Sequence, residues 1–551
     1  MALAKPVEQI STASIIDTPG PMHHCLQVTE ILDLILTDLF ESREGPHSRG
    51  DLLSVGLTCQ DFLEVALDIL WGTQTSLVPL IKTLPCNLWK EGGSGFDKTL
   101  QLLVEDNLTH GEEARFYFYA KRIRRLNYVP YTWYRISPSD APPHDLMIIR
   151  VLWNIRQNKE VPLFPRLQHV EFSTIQHASL CLDIFLESKQ VSLSLYWSHS
   201  TDNMDKLVPI IKKHALNMQE LDLDSFQGIK RHPAVENYFA LSQLVLAMED
   251  LRGLACGPHI LNTEAIGYLS SLPHLLKLHL PHNSQEIVAG LEKRHSLTQN
   301  KQPFPELQDL FIRETKLSTF ATLMRYLLPL QIRKLVVELS NEFSAQDVIQ
   351  SLTALSMGSS RWTNVHQIAF KQMSTNSRHG HSRKLDETVV INCFVLSPLL
   401  NFPNLTTLEL DMLCVFDLRD SDITSMADAW PRLRHLRLGP LEGWYMPSGI
   451  TYSGLLHLLL KCPDLEYLAI VFNPASDIPR DIKQGHINRN ITYFYVGNSI
   501  PSARRYEPIG KFLATILPCC RGFGGRWQVK QDEVARRRWD SVLTVMRNSQ
   551  K

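Results

Sequence analysis

Apolar residues at i, i+3 and i+5 recur down the length of this chain, and a repeat of that kind restricts the fold more than any other feature of the sequence. FPRLQHVEFS supplies Leu167, Val170 and Phe172; NMQELDLDSF supplies Met218, Leu221 and Leu223; LPHLLKLHL supplies Leu275, Leu278 and Leu280. Leu307-Leu310-Ile312, Ile332-Leu335-Val337, Val365-Ile368-Phe370 and Leu405-Leu408-Leu410 follow. Leu433-Leu436-Leu438, Leu465-Leu468-Ile470 and Ile491-Phe494-Val496 complete the strong copies, with weaker ones at Ile123-Leu126-Tyr128, Leu193-Leu195 and Leu251-Leu254-Cys256. One copy means little, since any amphipathic strand produces it. Ten strong copies, which with the weaker ones fall at intervals of about 25 to 40 residues, are the L-x-x-L-x-L core of a leucine-rich repeat.

Such a repeat contributes one strand and one outer segment, and stacking buries a continuous core without a single deep pocket. TFATLMRYLLPL and YSGLLHLLLKC read as helices of the outer layer. KEGGSGFDK near residue 90, SPSDAPPHD near 140 and KQMSTNSRHGHSRKLD near 375 have the Gly, Pro, Ser and charged composition of solvated loops. The last segment is expected to cap the array, with Trp527 and Trp539 packed on the final repeat.

Side chains alternate across a strand, so residues between the buried positions face the concave side. That gives a row of Glu220, Asp222 and Asp224, then Lys277, His279, Asp309 and Phe311, then Thr407, Glu409, His435, Arg437, Tyr467, Tyr493 and Tyr495. Its beginning is acidic; its end carries Arg, His and Tyr, the usual anchors of protein interfaces. The target-binding candidates are His279, Phe311, Glu409, His435, Arg437, Tyr467, Tyr493 and Tyr495. Singly, each of these also reads as an ordinary solvated strand residue.

Upstream of the repeats, CLQVTEILDLILTDLF places Leu32, Ile35, Leu36 and Leu39 on one stripe of a helix, with Val28 and Ile31 on its flank. Thr29 is a suitable cap and Glu30 suits the helix dipole. Gly45, Pro46 and Gly50 break the helix. LLSVGLTCQDFLEVALDILW resumes it as two short helices. A three-helix unit this small is marginal alone, and its apolar residues exceed what one small interior needs. Surplus apolar surface marks an interface.

This block resembles an F-box, in the form common in basidiomycete fungi, where a P-E-I-L-x-x-I-type helix leads to LTC…F…ALD.LW. The matching residues are Glu30, Ile31, Leu32 and Ile35, then Leu57 to Trp71, then LVPLIKTLP. One departure stands out: the family's Leu-Pro at the start of the first helix is Val28-Thr29 here. The resemblance implies docking on a Skp-type adaptor and, through it, a cullin-based ubiquitin ligase. The residues assigned to folding the block or contacting the adaptor are Val28, Thr29, Ile31, Leu32, Ile35, Leu52, Leu53, Leu57, Leu70 and Trp71. The competing reading is a helical cap on a larger domain.

Charge and cysteine content narrow the rest. Lys and Arg number 56 against 57 Asp and Glu, so a generally basic nucleic-acid binder is not expected. YAKRIRRLNY interleaves basic and aromatic residues but fits a first repeat. No apolar run approaches the roughly 20 residues that cross a bilayer, and the N-terminus lacks the pattern of a secretory signal. Ten cysteines without C-x-x-C or zinc spacing read as core thiols of an intracellular protein, in the cytoplasm or nucleus, Cys519 and Cys520 included. His379 and His381 lack accompanying metal ligands, and no phosphate-binding or nucleophile motif appears.

The expected fold is therefore α/β: a three-helix F-box block followed by an irregular leucine-rich-repeat solenoid with parallel inner strands and outer helices. Its divisions are a tail at 1–21, the helical block at 22–85, a linker with helices leading into the repeats at 86–120, repeats at 121–500 and a cap at 501–551. The expected function is a non-catalytic substrate receptor of an SCF-type ubiquitin ligase, without cofactor or metal, that holds a target protein on the concave face. The alternative is a leucine-rich-repeat scaffold with no ligase role.

Overall fold

The computed structural model describes residues 26–550 except 27, 42–45, 93–98, 103–110, 112, 129–143, 158–160, 173–180, 190, 196–203, 224–235, 257–260, 281–283, 298–301, 328–330, 340–343, 358–363, 373–389, 413, 440–443, 445–446 and 526–532. The chain divides into two compact units, Met1–Val170 and Glu171–Lys551.

The first unit begins with three helices, α1 (Thr29–Glu41), α2 (Pro46–Gly56) and α3 (Gln60–Gly72). Leu32, Leu36, Leu52, Val65 and Ala66 form their common core, and Leu39, Phe40, Val55, Phe62, Ile69 and Leu70 pack around it. Gly56 lets α2 and α3 approach closely, since a Cβ there would stand 2.8 Å from the Ala66 Cβ. Two local expectations change. The Val28 carbonyl accepts the first helical bond, from Leu32 N at 3.0 Å, so Thr29 is inside the helix and does not cap it. Pro46, read as a breaker, instead opens α2, where its missing N–H costs nothing.

Directly after α3, Thr73–Gln74 forms a strand that pairs in parallel with Arg125–Tyr128. The strand His169–Phe172 follows Arg125–Tyr128 in the sheet order. Trp89–Gly92 and Thr99–Leu102 form a separate antiparallel ribbon, so the glycine-rich stretch near residue 90 begins as strand rather than loop.

The second unit is the repeat array. Its strands Val191–Leu195, Met218–Asp222, Gly253–Ala255, Lys277–Leu280, Asp309–Thr315 and Lys334–Leu339 are followed by Gln367–Gln372, Thr407–Asp411, His435–Leu438, Tyr467–Ala469, Tyr493–Tyr495 and Gly522–Gly524. They lie side by side in chain order in one sheet. Pairing is parallel and in register from repeat to repeat: Leu278 opposes Leu310, which opposes Leu335, which opposes Ile368 and then Leu408 and Leu436. Parallel neighbours need a crossover, and helices such as Leu317–Leu327, Ala345–Met357, Asp420–Ala429 and Tyr452–Lys461 supply it. The first, second and third apolar positions of each strong copy are buried. This is a leucine-rich-repeat solenoid, as the periodicity predicts.

Repetition also extends the backbone bonding. Each strand's leading carbonyl accepts from the next strand, as when Thr406 O receives Arg434 N at 2.8 Å and Arg434 O receives Glu466 N at 2.8 Å. The array runs past residue 500: Gly522–Gly524 pairs with Tyr493–Tyr495 as a further repeat strand. Sequence reading misses it because two glycines stand where a repeat would carry side chains. The final helix, Glu533–Gln550, packs on Tyr506–Ile516, where a Cβ on Gly510 would stand 2.7 Å from the Val545 Cβ. Trp539 is buried beneath it, donating to Ser499 O at 2.8 Å and resting 4.9 Å from the Phe523 ring. Trp527, Tyr128's side chain, and the loops near 140 and beyond Gln372 lie outside the described residues.

Candidate functional site

On the second unit, the side chains between the buried leucines form the open face of the sheet, with a burial pattern that alternates along Thr407–Asp411 and His435–Leu438. The candidate row does not form one surface. His279 and Phe311 meet with ring centroids 5.1 Å apart, and the Arg313 guanidinium stands 5.5 Å over Phe311. The next two strands place Val336 and Ala369 at this level, both buried. They separate that pair from a larger cluster built by Glu409, His435, Arg437, Tyr467, Tyr493 and Tyr495.

The larger cluster is aromatic and internally neutralised. His435 and Tyr467 stack at 4.2 Å with a 4° angle between ring planes, and Tyr467 and Tyr493 stack at 5.4 Å and 3°. Register causes this: His435 opposes Tyr467, which opposes Tyr493 on successive parallel strands. Gly522 is next in register, and the Tyr493 ring occupies the space its Cβ would need. Arg437 donates to Asp411 from Nε at 3.1 Å and Nη2 at 2.7 Å, and from Nη1 to the Tyr467 hydroxyl at 3.3 Å. Lys371 holds Glu409 at 2.7 Å, and His435 Nε2 lies 3.6 Å from the same carboxylate. Burial pushes the His435 imidazole below its usual value, Glu409 opposing and Arg437 and Lys371 assisting. Burial likewise raises the Tyr467 phenol.

Tyr495 departs from expectation. It is 9% exposed, because its neighbours in register, Ala469 and Gly524, are too small to hold the ring off the sheet. Its hydroxyl is buried without a hydrogen-bond partner among the described residues, and burial pushes its pKa up to about 12. At the acidic beginning of the row, Lys277 pairs with Glu220 at 3.1 Å, and Asp224 lies outside the described residues.

The first unit divides the adaptor candidates by exposure. Leu32 (2% exposed) and Leu52 belong to the interior, so their work is folding and not surface contact. Val28, Thr29, Ile31, Ile35, Leu53 and Leu57 are exposed. Leu70 packs against the core, and Trp71 is half-buried with its ring stacked 4.4 Å from Tyr119. Ile35 was expected on the buried stripe with Leu32 and Leu36; it lies instead on the exposed flank beside Ile31. Leu34, 71% exposed, was missed. At 100° per residue it falls beyond Ile31 and Ile35 on that flank, and a single-stripe reading has no place for it.

Among the described residues, no set of three His, Cys, Asp or Glu is placed to hold a metal ion. Burial raises the Cys462 thiol to about 12 and the Cys520 thiol to about 11, so neither is a ready nucleophile. Cys519 is exposed rather than a core thiol. No described helix is long and apolar enough to cross a membrane. No family model matches the chain, and no curated protein matches it. Among solved structures, a crystal structure of an internalin from Listeria monocytogenes is 12% identical, covering 66% of this chain and 78% of that chain at a TM-score of 0.28. So distant a likeness says nothing about the site, and the leucine-rich-repeat assignment rests on the chain's own repeat and sheet.

Proposed function

We propose that this chain is a non-catalytic protein-interaction scaffold whose leucine-rich repeats hold a partner protein on the open sheet face. The carrying observation is the stacked row His435-Tyr467-Tyr493, half-exposed and fixed by the Arg437 bonds to Asp411 and Tyr467. Aromatic and Arg side chains held rigid before binding lose little entropy on contact, which is what an interface anchor requires. The test is a photo-cross-linking residue at position 493 in the full chain. Capture of a discrete partner there, lost when Tyr467 becomes Ala, supports the reading; no adduct at 493 with adducts elsewhere on the chain sinks it.

A second reading adds to the first. In it the chain is the substrate receptor of an SCF-type ubiquitin ligase, with the helical block docking on a Skp-type adaptor and the bound partner as its target. Supporting it is the apolar surface of Val28, Ile31, Leu34, Ile35, Leu53 and Leu57 exposed on and directly beside α1 and α2, together with the resemblance of that block to an F-box. Catalysis would then come from proximity. Co-purification of the full chain with a Skp-type adaptor, lost in Ile31→Asp/Ile35→Asp, supports it. A folded wild-type chain that retains no adaptor removes it and leaves the scaffold.

A further inference from the structure

The repeat array ends on an open sheet edge. Gly522–Gly524 is the last strand in the sheet order and pairs on one side only, with Tyr493–Tyr495. Gly522 N donates to Thr492 O at 2.9 Å and Gly524 O accepts from Val496 N at 2.9 Å, so both glycines turn their backbone groups inward. Alternation along the strand then turns the Phe523 N–H and carbonyl outward. Arg434 O, Glu466 O and Thr492 O each accept from the strand that follows, and Arg521 O is next in that series. Neither Arg521 O nor the two Phe523 groups have a hydrogen-bond partner among the described residues.

The strand itself carries nothing that discourages further pairing. Edges are commonly guarded by charge, proline or a bulge, and Gly522, Phe523, Gly524 and Gly525 offer none of these. Phe523 is half-buried, 5.5 Å from the Phe494 ring and 4.9 Å from Trp539. A residue placed opposite Phe523 in a further strand would extend the in-register column Leu468-Phe494-Phe523, which favours an apolar side chain there.

Charge selects among the occupants. Residues 501–551 carry 11 Lys and Arg against 4 Asp and Glu, although the whole chain stands at −1. Arg521 is exposed at the start of the strand without an ion pair among the described residues, and Arg547 is exposed on the final helix. A second copy pairing edge to edge would set this basic end against its own kind, which like-charge repulsion opposes.

We propose that Gly522–Gly524 is a docking edge for an extended acidic segment of a partner protein. The segment adds to the sheet as a further strand, with an apolar residue opposite Phe523 and carboxylates beside Arg521. Backbone pairing supplies affinity in such a contact, and alternate side chains supply specificity. This site goes beyond the open-face reading and is independent of it, so a failure of cross-linking at 493 leaves it standing.

The full chain is titrated with three end-blocked heptapeptides. One is Glu-Val-Glu-Val-Glu-Val-Glu, the second has Lys in place of Glu, and the third is the acidic peptide methylated at every backbone nitrogen. The acidic peptide should bind at least about tenfold more tightly than the Lys peptide, with the preference shrinking at high salt. Methylation keeps the charge, removes the N–H groups, and should weaken binding at least about tenfold, the worth of one or two hydrogen bonds. Hydrogen exchange at the Phe523 amide should slow when the acidic peptide binds. Arg521→Glu, with a wild-type urea midpoint, should abolish the preference for the acidic peptide. Equal binding of acidic and Lys peptides, or of methylated and unmethylated ones, overturns the inference, as does failure of all three to bind. Acidic peptide bound with Phe523 exchange unchanged also overturns it, because the contact then lies elsewhere. A free chain that self-associates with the Phe523 amide protected overturns it too and makes the occupant a second copy.

Discussion

Arg122 and Asp68 are joined by a hydrogen-bonded ion pair that ties helix α3 to the segment leading into the strand Arg125–Tyr128. The same guanidinium donates to Glu64 Oε2 at 2.6 Å and to the Glu64 carbonyl at 3.3 Å. Asp68 also receives Arg166 at 3.4 Å and Arg124 at 3.8 Å. Meanwhile Arg124 N donates to Gly72 O at 2.8 Å, and Thr73–Gln74 enters the sheet directly. Within the first unit the helical block therefore hangs from the sheet; it is not tethered by a flexible stretch. Burial pushes the Arg122 guanidinium down, and the bonds to Glu64 and Asp68 overcome this and raise it.

Replacing Arg122 by Met keeps the stem's packing and removes the clamp. Because Glu64 is 58% exposed and returns to water readily, the loss is expected at about 1–2 kcal/mol rather than that of a fully buried pair. Urea unfolding followed by hydrogen exchange locates it: Thr73, Gln74 and α3 should exchange faster while the strands from Thr407 to Tyr495 do not change. Equal protection of α3 in variant and wild type defeats the clamp.

Acidification tests the aromatic row. Burial lowers the His435 value in the folded chain, so the unfolded chain binds that proton more readily. Stability therefore rises with pH across the interval below about 6.5, the ordinary imidazole value, and falls as pH drops through it. His435→Gln removes this component. Between pH 7.5 and 5.5 the wild-type urea midpoint should fall further than the variant's. A variant with the larger fall contradicts the assigned sign.

What the sequence disclosed and what it hid divide along physical lines. The repeat was legible because every strand must bury the same three positions, and Leu408, Leu436 and Leu468 announce that by spacing alone. The strand Gly522–Gly524 was not, since glycines carry no pattern. Alternation placed His435, Tyr467 and Tyr493 on one face, yet their stacking depends on register between strands 32 and 26 residues apart in sequence, which local spacing does not contain. Tyr495 follows the same alternation but sinks into space left by Ala469 and Gly524. In α1 the apolar residues cover more than one stripe, so periodicity alone left core and surface undivided.

That division gives a paired prediction. Leu32→Asp places a charge in the core of α1–α3, where nothing compensates it, and should unfold the block, at a cost of about 3–5 kcal/mol. Ile31→Asp, at a site 38% exposed, should leave the circular dichroism and urea midpoint within about 0.5 kcal/mol of wild type. The two substitutions are one residue apart, so only burial distinguishes them. Comparable destabilisation by both would mean Ile31 is covered by packing, and the exposed apolar flank would then offer no adaptor surface.

Glycine supplies a second contrast. Gly439 follows the strand His435–Leu438 with φ +39°, donates to Leu410 O at 2.7 Å, and accepts from Trp444 Nε1 at 3.0 Å. The Phe416 ring fills the space a Cβ would take there, and that ring stacks on Trp444 at 5.1 Å. Gly439→Ala therefore combines left-handed backbone strain, about 1 kcal/mol, with displacement of a packed ring, about 1–3 kcal/mol. The near-ultraviolet signal of Trp444 should change with it. Gly50, inside α2, has nothing within 4 Å of a Cβ. Gly50→Ala should stabilise the first unit by about 0.5–1 kcal/mol through helix propensity alone. Urea midpoints moving in opposite directions for the two variants are the expected outcome. A Gly439→Ala chain as stable as wild type would mean that the turn after His435–Leu438 yields without disturbing Phe416.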